Sequence, residues 1–349
     1  MGLPDLGYAE PLERLSGGFE TDILTFRLAS APAPLDIPLV LRVFRPGTSQ
    51  NVRHEAAVQE AAAAHGFPAP RTLFVDAAGE AMGRPFLVLE RLPGRPLVDG
   101  LLRPPSRMLL RAPELLAGAM LDLHRLPIER VTELFEGAAL DRGLLDPDRW
   151  DRKTRRLLPR IGGRSLNDLA AWIDARRPDL SGRTVFCHGD YHPANLLLHR
   201  GRISGLVDWT RASLAPPEFE LGNLRILLGY GPVGLPRIAL ALLAPVRRRI
   251  QRRLETLYRE RSPIDDDRLL HFEMRRALSA LAGVAARRLS LEAEAGWTDP
   301  YPFDNPSLPE LLARVEKVSG IRVELPPPPS PGWSAAVRPA RTVTKRRRG

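Results

Sequence analysis

Residues 185–209 read VFCHGDYHPANLLLHRGRISGLVDW, and the order of polar groups in this stretch decides how the rest of the chain is read. His188, Gly189 and Asp190 follow a short apolar strand pattern, Asn195 comes five residues after Asp190, and a β-rich LLLHRGRISGLV segment ends in Asp208. Moving a phosphoryl group to a hydroxyl asks a protein mainly for positioning and charge neutralisation, hence one carboxylate near the acceptor and oxygen ligands for magnesium. Asp190 suits the first task; Asn195 and Asp208 suit the second, because magnesium prefers hard oxygen ligands. Asp and Asn taken singly are ordinary turn formers that bond their own backbone. The whole constellation between two strand patterns is the layout of a phosphoryl-transfer site. His192 reads as a residue that holds the loop, not as a catalytic one.

The gap from Asp190 to Asn195 and the later Asp208 follow the protein-kinase order H-R-D-x-x-x-x-N then D-F-G, with HGD and DWT in their places. In this form HGDYHPAN (188–195) and VDW (207–209) closely resemble the aminoglycoside phosphotransferase-like family of small-molecule kinases, whose loop commonly reads HGDxHxxN. The resemblance covers residues 12 to about 225 by motif. It implies a two-lobed α+β protein kinase-like fold, with a five-stranded antiparallel amino-terminal lobe and a mainly helical carboxy-terminal lobe. It also implies ATP and Mg2+ as cofactors and the hydroxyl of a small molecule as acceptor. Asp190 is then the catalytic residue and Asn195 and Asp208 the metal ligands. The expected organisation is a nucleotide-binding lobe over residues 1–93, a helical lobe with catalytic loop and acceptor site over 94–325, and a Pro-rich basic tail over 326–349.

Upstream, LERLSGGFETDILTFRL (12–28) reads as strand, Ser-Gly-Gly turn and strand. The resemblance assigns Ser16, Gly17, Gly18 and Phe19 to the nucleotide loop; on their own residues they read more readily as a plain hairpin turn. PLVLRVF (38–44) is an apolar strand with one charge, Arg42, which needs a partner. Arg42 stands where the kinase layout has a phosphate-contacting lysine, and the alanine-rich helix expected at 51–65 offers Glu55 as its partner, with Glu60 in reserve. Two further strands (71–75 and 85–90) lead to LVLERLPGRPL, the expected hinge, where the resemblance has the backbone of Glu90, Arg91 and Leu92 meeting the adenine edge.

Beyond the hinge the pattern is helical. Leu116, Met120 and Leu123 mark one helix face ending near His124, which reads as a core histidine. Residues 130–180 look irregular apart from a helix at 166–176. Glu220 sits where the resembling family has an aspartate that holds the catalytic loop. Val246, Ile250, Leu254 and Leu257 form an apolar seam, and Ser262 with Pro263 reads as N-cap and first position of the next helix. Thirteen arginines against six acids over 232–290 oppose a polycationic acceptor if they face the cleft. The later Glu292, Glu294, Asp299 and Asp304, interleaved with Trp297, Tyr301 and Phe303, read either as an amine-holding cluster or as a loop packing its aromatics inward, the second being preferred.

Of the 349 residues 44% are hydrophobic, and the single cysteine, Cys187, excludes a disulfide framework and points to a reducing, cytoplasmic setting. Cys187 reads as a small buried hydrophobe. The start of the chain has no signal-peptide pattern, and the most apolar stretch (227–246) is broken by Gly and Pro, so no membrane insertion is expected. The net charge of +10 draws six positives from the tail, which reads as a solubilising extension ahead of a nucleic-acid contact. The functional expectation is an ATP-dependent phosphotransferase acting on a small-molecule hydroxyl. The alternative is a nucleotide-binding regulator of the same fold that has lost catalysis, suggested by Arg42 and Glu220. A protein kinase ranks last, since only eleven residues separate Asp208 from Glu220.

Overall fold

The computed structural model describes residues 7–15, 21–101, 108–231, 237–291 and 303–328. Strands β1 (Tyr8–Arg14), β2 (Asp22–Leu28) and β3 (Leu39–Val43) are followed by helix α1 (Ser49–Ala64) and by β4 (Thr72–Asp76) and β5 (Phe86–Glu90). They make the expected five-stranded antiparallel sheet, in the order β1-β2-β3-β5-β4. Arg42 lies opposite Ile23 on one side and Leu87 on the other, so the central strand presents its one charge from the middle of the sheet. Phe44, Val52, Ala56, Leu87 and Leu89 form the core between sheet and helix. The alanines favour α1, and Gly66, at φ +77°, ends it where a residue with a Cβ would be strained. Both His54 and Glu55 are buried on this helix, because α1 is covered by the sheet on one side and by the second lobe on the other.

The chain leaves β5 through Pro93 and Gly94. A Cβ at Gly94 would meet the Leu198 carbonyl at 2.7 Å, so this connection is pressed against the backbone around Leu198 in the second lobe. β6 (Arg95–Pro96), α2 (Leu97–Leu101) and α3 (Met108–Leu123) follow, with Leu116, Met120 and Leu123 buried as their spacing predicts. Residues 130–180 differ from expectation. They are mostly helical, in α4 (Ile128–Gly137), α5 (Asp148–Ile161) and α6 (Arg164–Ala175). The apolar stripe of α5 is only Leu157, Leu158 and Ile161, and the many charges around it hide the period. Those charges are ordered by pairing: Arg155 bonds Asp151 at 2.6 Å and Asp174 at 2.8 Å. Gly162 and Gly163, both at positive φ, break α5 from α6.

β7 (Val185–Cys187), β8 (Leu196–His199), β9 (Arg202–Leu206) and β10 (Ser213–Ala215) are short strands, β10 pairing with β7 and β8 lying between β6 and β9. The helices α7 (Pro217–Tyr230), α8 (Arg237–Arg259), α9 (Asp266–Arg288) and α10 (Leu308–Ser319) complete the lobe. Ser262 does not cap α9. Asp265 does, accepting from Arg268 N at 2.9 Å, with Asp266 and Asp267 in the first turn. Three consecutive carboxylates answer the positive end of the helix dipole better than Ser262 can; Ser262 instead accepts a bond from Arg183.

One core joins α3 and α8 to the strands around the catalytic loop, and another joins α5, α6, α7, α9 and α10. α7 and α9 approach closely at Gly222, where a Cβ would meet Glu273 N at 2.7 Å. No helix among the described residues is long and apolar enough to cross a membrane. The Ser-Gly-Gly turn, the cluster from Glu292 to Tyr301 and the tail from 329 onward lie outside the described residues.

Candidate active site

The loop from His188 to Asn195 is fixed from below by Glu220, on the first turns of α7. Its carboxylate accepts from His188 N at 2.5 Å and from Gly189 N at 3.0 Å. Glu220 thus braces the loop, as the resemblance has an aspartate do at this place, with the longer side chain still fully buried. Gly189 is required as glycine: its φ is +76°, and a Cβ there would lie 2.2 Å from the Arg211 carbonyl. The His188 ring is held neutral, since burial lowers its pKa against the pull of Glu220, Asp190 and Asp208. Its Nε2 donates to Val207 O at 3.1 Å and its Nδ1 accepts from Asp190 N at 3.3 Å. One imidazole therefore ties the loop to the segment that carries Asp208. Trp209, fully buried, packs its indole against His188 and Phe186 and donates to Leu206 O at 2.8 Å. That anchoring holds the preceding residue, Asp208, at φ +69°.

Asn195 donates through Nδ2 to Asp190 O at 2.9 Å, while Val207 N donates to Asn195 O at 3.0 Å. Asp190 and Asn195 are thereby bonded directly, and Val207, the residue before Asp208, is bonded to both Asn195 and His188, which ties together positions eighteen residues apart. The Asp190 side chain is 22% exposed and is flanked by His192 Nε2 and Arg276 Nη2, each at 3.5 Å. Burial alone would raise its pKa; the bond and charge of His192, with Arg276 and Arg211, hold it instead well below the usual carboxylate range. It is an ionised acceptor at neutral pH.

Arg42 joins the two lobes. Its Nη1 pairs with Glu55, its Nη2 bonds Asp208 Oδ1 at 2.8 Å, and its Nε bonds Thr21 Oγ1 at 3.2 Å. Glu55 is the expected partner; the reserve, Glu60, instead accepts from Thr72 N at 3.3 Å. Thr210 Oγ1 lies 3.0 Å from both Glu55 Oε2 and Asp208 Oδ1, closing the group. Burial pushes the Glu55 pKa up, opposed by Arg42, whereas at Asp208 burial is outweighed by the charge and hydrogen bond of Arg42 acting together with His188, and the pKa is lowered. Asp208 remains 43% exposed, and only its Oδ1 is engaged by these partners.

At the end of β5 the expected adenine contacts divide. Glu90 N donates to Arg71 O at 3.0 Å and Arg91 N to Pro38 O at 2.9 Å, so sheet bonds occupy both N–H groups. The expectation called on N–H and C=O groups alike; of the three N–H groups, only that of Leu92 has no hydrogen-bond partner among the described residues. Ser16, Gly17, Gly18 and Phe19 lie outside the described residues. His124 is a buried core histidine, with Nδ1 2.6 Å from Tyr258 Oη, and Cys187 is fully buried beside it, burial raising its thiol well above its ordinary pKa. The sequence reading missed Thr210, Arg211 and Arg276. Thr210 follows Asp208 by two positions and was within reach; Arg276 comes from α9 and has no local signal.

The family model for the phosphotransferase enzyme family matches residues 11–264. Among solved structures, a thermostable aminoglycoside phosphotransferase APH(4)-Ia in ternary complex with AMP-PNP and hygromycin B is 17% identical, with a TM-score of 0.58 over 90% of this chain and 96% of that one. A macrolide 2'-phosphotransferase type I is 18% identical, TM-score 0.53, over 92% and 94%. An aminoglycoside-3'-phosphotransferase of type VIII is 20% identical, TM-score 0.52, over 78% and 93%. These likenesses establish the two-lobed kinase-like fold.

Proposed function

We propose, for a chain that belongs to the phosphotransferase enzyme family, that it is an ATP-dependent kinase transferring the γ-phosphoryl group to a hydroxyl of a small molecule. The observation that carries this is the ionised, partly exposed Asp190 joined by hydrogen bonds to Asn195 and through His188 and Val207 to Asp208. Nucleotide use is supported by the solved relative in complex with AMP-PNP. Asn195 and Asp208 fit a magnesium ion: both offer hard oxygens, and Asp208 keeps one carboxylate oxygen free of the Arg42 and Thr210 bonds. When bound, the ion would offset negative charge on the nucleotide phosphates.

The chain's own groups perform the rest. Asp190 orients the acceptor hydroxyl and takes its proton as the new P–O bond forms and the bond to the leaving ADP breaks. Arg42, held by Glu55, stands to contact the nucleotide phosphates, with Leu92 N–H meeting the base. Full-length protein incubated with ATP, magnesium and pooled hydroxyl metabolites and antibiotics should release ADP. Asp190→Ala should lower turnover by about a hundredfold or more, the scale of a general base. An unchanged rate in that variant would remove Asp190 from the chemistry.

A further inference from the structure

Three side chains from three separate elements meet behind the catalytic loop: His124 just past the end of α3, Cys187 at the end of β7 and Glu220 in α7. An imidazole nitrogen, the thiol sulfur and a carboxylate oxygen all lie within 4.8 Å of one another there. His124 Nε2 is 3.9 Å from Cys187 Sγ and 3.9 Å from Glu220 Oε2, and none of the three residues is more than 3% exposed. The other ring nitrogen, Nδ1, is 2.6 Å from Tyr258 Oη on α8. Neither tautomer of His124 gives Nε2 an ordinary hydrogen bond. With the proton on Nε2, 3.9 Å is too long for a bond to the carboxylate and at the limit for one to sulfur. With Nδ1–H donated to Tyr258, the bare lone pair of Nε2 stands beside a buried carboxylate, and a cation shared by the two removes that conflict.

The donor set selects the cation. A thiolate, an imidazole and a carboxylate together suit zinc, whereas the all-oxygen pair Asn195 and Asp208 suits magnesium. A tetrahedral zinc about 2.3 Å from sulfur and about 2.0–2.1 Å from nitrogen sets those two atoms about 3.6 Å apart. The 3.9 Å between Sγ and Nε2 is slightly longer, so a small contraction closes the shell. The carbonyl oxygens of Ala215 and Pro216 lie 3.9 and 4.0 Å from Sγ, near enough for one of them to be the fourth ligand. Structural zinc sites are four-coordinate and closed, and full burial suits that type. A metal-bound histidine characteristically fixes its second nitrogen on a neighbouring group, the part that Tyr258 Oη plays for Nδ1. Glu220 keeps further lone pairs after accepting from His188 N and Gly189 N, so one carboxylate can serve loop and ion together.

We propose that His124, Cys187 and Glu220 bind a zinc ion, a structural site that locks α3, β7 and α7 to the catalytic loop and is separate from the magnesium ligands proposed at Asn195 and Asp208. It stands independently of the phosphotransferase reading, because its test reads metal and not turnover. The full chain is produced in zinc-free medium supplemented with Co2+, an absorbing stand-in for zinc, and then dialysed against excess Mg2+ to clear the oxygen ligands of the loop. The expected result is about one cobalt retained per chain, with the visible bands of a four-coordinate ion and a thiolate-to-cobalt charge-transfer band. Cys187→Ser and Cys187→Ala, each checked for folding by circular dichroism, should lose the charge-transfer band. Tyr258→Phe should keep it and weaken cobalt about tenfold or more in competition with a chelator, the usual cost of losing the partner of a ligating histidine. Zinc should raise the melting temperature of the parent chain and leave that of a folded cysteine variant unchanged. Loss of all cobalt on dialysis, retained cobalt without a thiolate band, or the same band in a cysteine variant overturns the proposal.

Discussion

Glu220 concentrates two obligations on one carboxylate, since it alone receives the N–H groups of His188 and Gly189. Truncation would leave two buried donors without acceptors, at about 1–3 kcal/mol each. Glu220→Ala should therefore lower the unfolding free energy by roughly 2–6 kcal/mol in a urea titration, and a loss within the range of a surface substitution would contradict the brace. His271 makes a pH prediction. It is buried, both ring nitrogens lack hydrogen-bond partners among the described residues, and burial together with Arg275 and Arg177 lowers its pKa from 6.5 to about 4, against the opposing pull of Asp148 and Asp151. The unfolded chain binds a proton there below 6.5 and the folded chain only near 4, so stability falls as pH drops through that window. His271→Gln should flatten the fall by close to one proton in melting experiments across that range; an unchanged slope would count against it. Asp190, Asn195 and Asp208 were legible because one contiguous stretch carries them with characteristic spacing, and Glu55 because its helix directly follows the strand of Arg42. Arg276 was not legible, because its meeting with Asp190 depends on the packing of α9.

At the level of elements, α9 begins where electrostatics is best satisfied and not where the first cap-like residue occurs. Asp265 accepts from Arg268 N, and Asp265 N itself donates to Glu218 at 2.9 Å, tying the start of α9 to α7. Asp265→Ala should destabilise the fold by about 1 kcal/mol, the usual worth of an N-cap, while Asp265→Asn keeps the acceptor and most of the stability. Equal melting temperatures for the alanine variant and the parent would return the cap to Ser262. The sheet strands and α1 were readable from alternation and alanine content. α5 was not, because a three-residue apolar stripe among charges gives a weak period, and the ion pairs that order those charges form only after α5, α6 and α9 have packed.

For the molecule as a whole, the decisive junction is Arg42, which touches β2's approach through Thr21, α1 through Glu55 and the second lobe through Asp208. On the proposed function a nucleotide and its ion bind at this junction, which would link binding and lobe alignment through a single guanidinium. The kinase-like architecture was readable from residues 188–209, whereas the meeting of Arg276 with Asp190 emerged only when helices distant in sequence were assembled around the loop. The most direct measurement is the anomalous diffraction of manganese in crystals of the full chain grown with AMP-PNP and Mn2+. The account predicts a peak bonded to the side-chain oxygens of both Asn195 and Asp208, about 2–2.3 Å from each, beside the terminal phosphate and facing Asp190. A nucleotide bound with manganese held elsewhere, or with these two side chains turned away from it, would contradict the account.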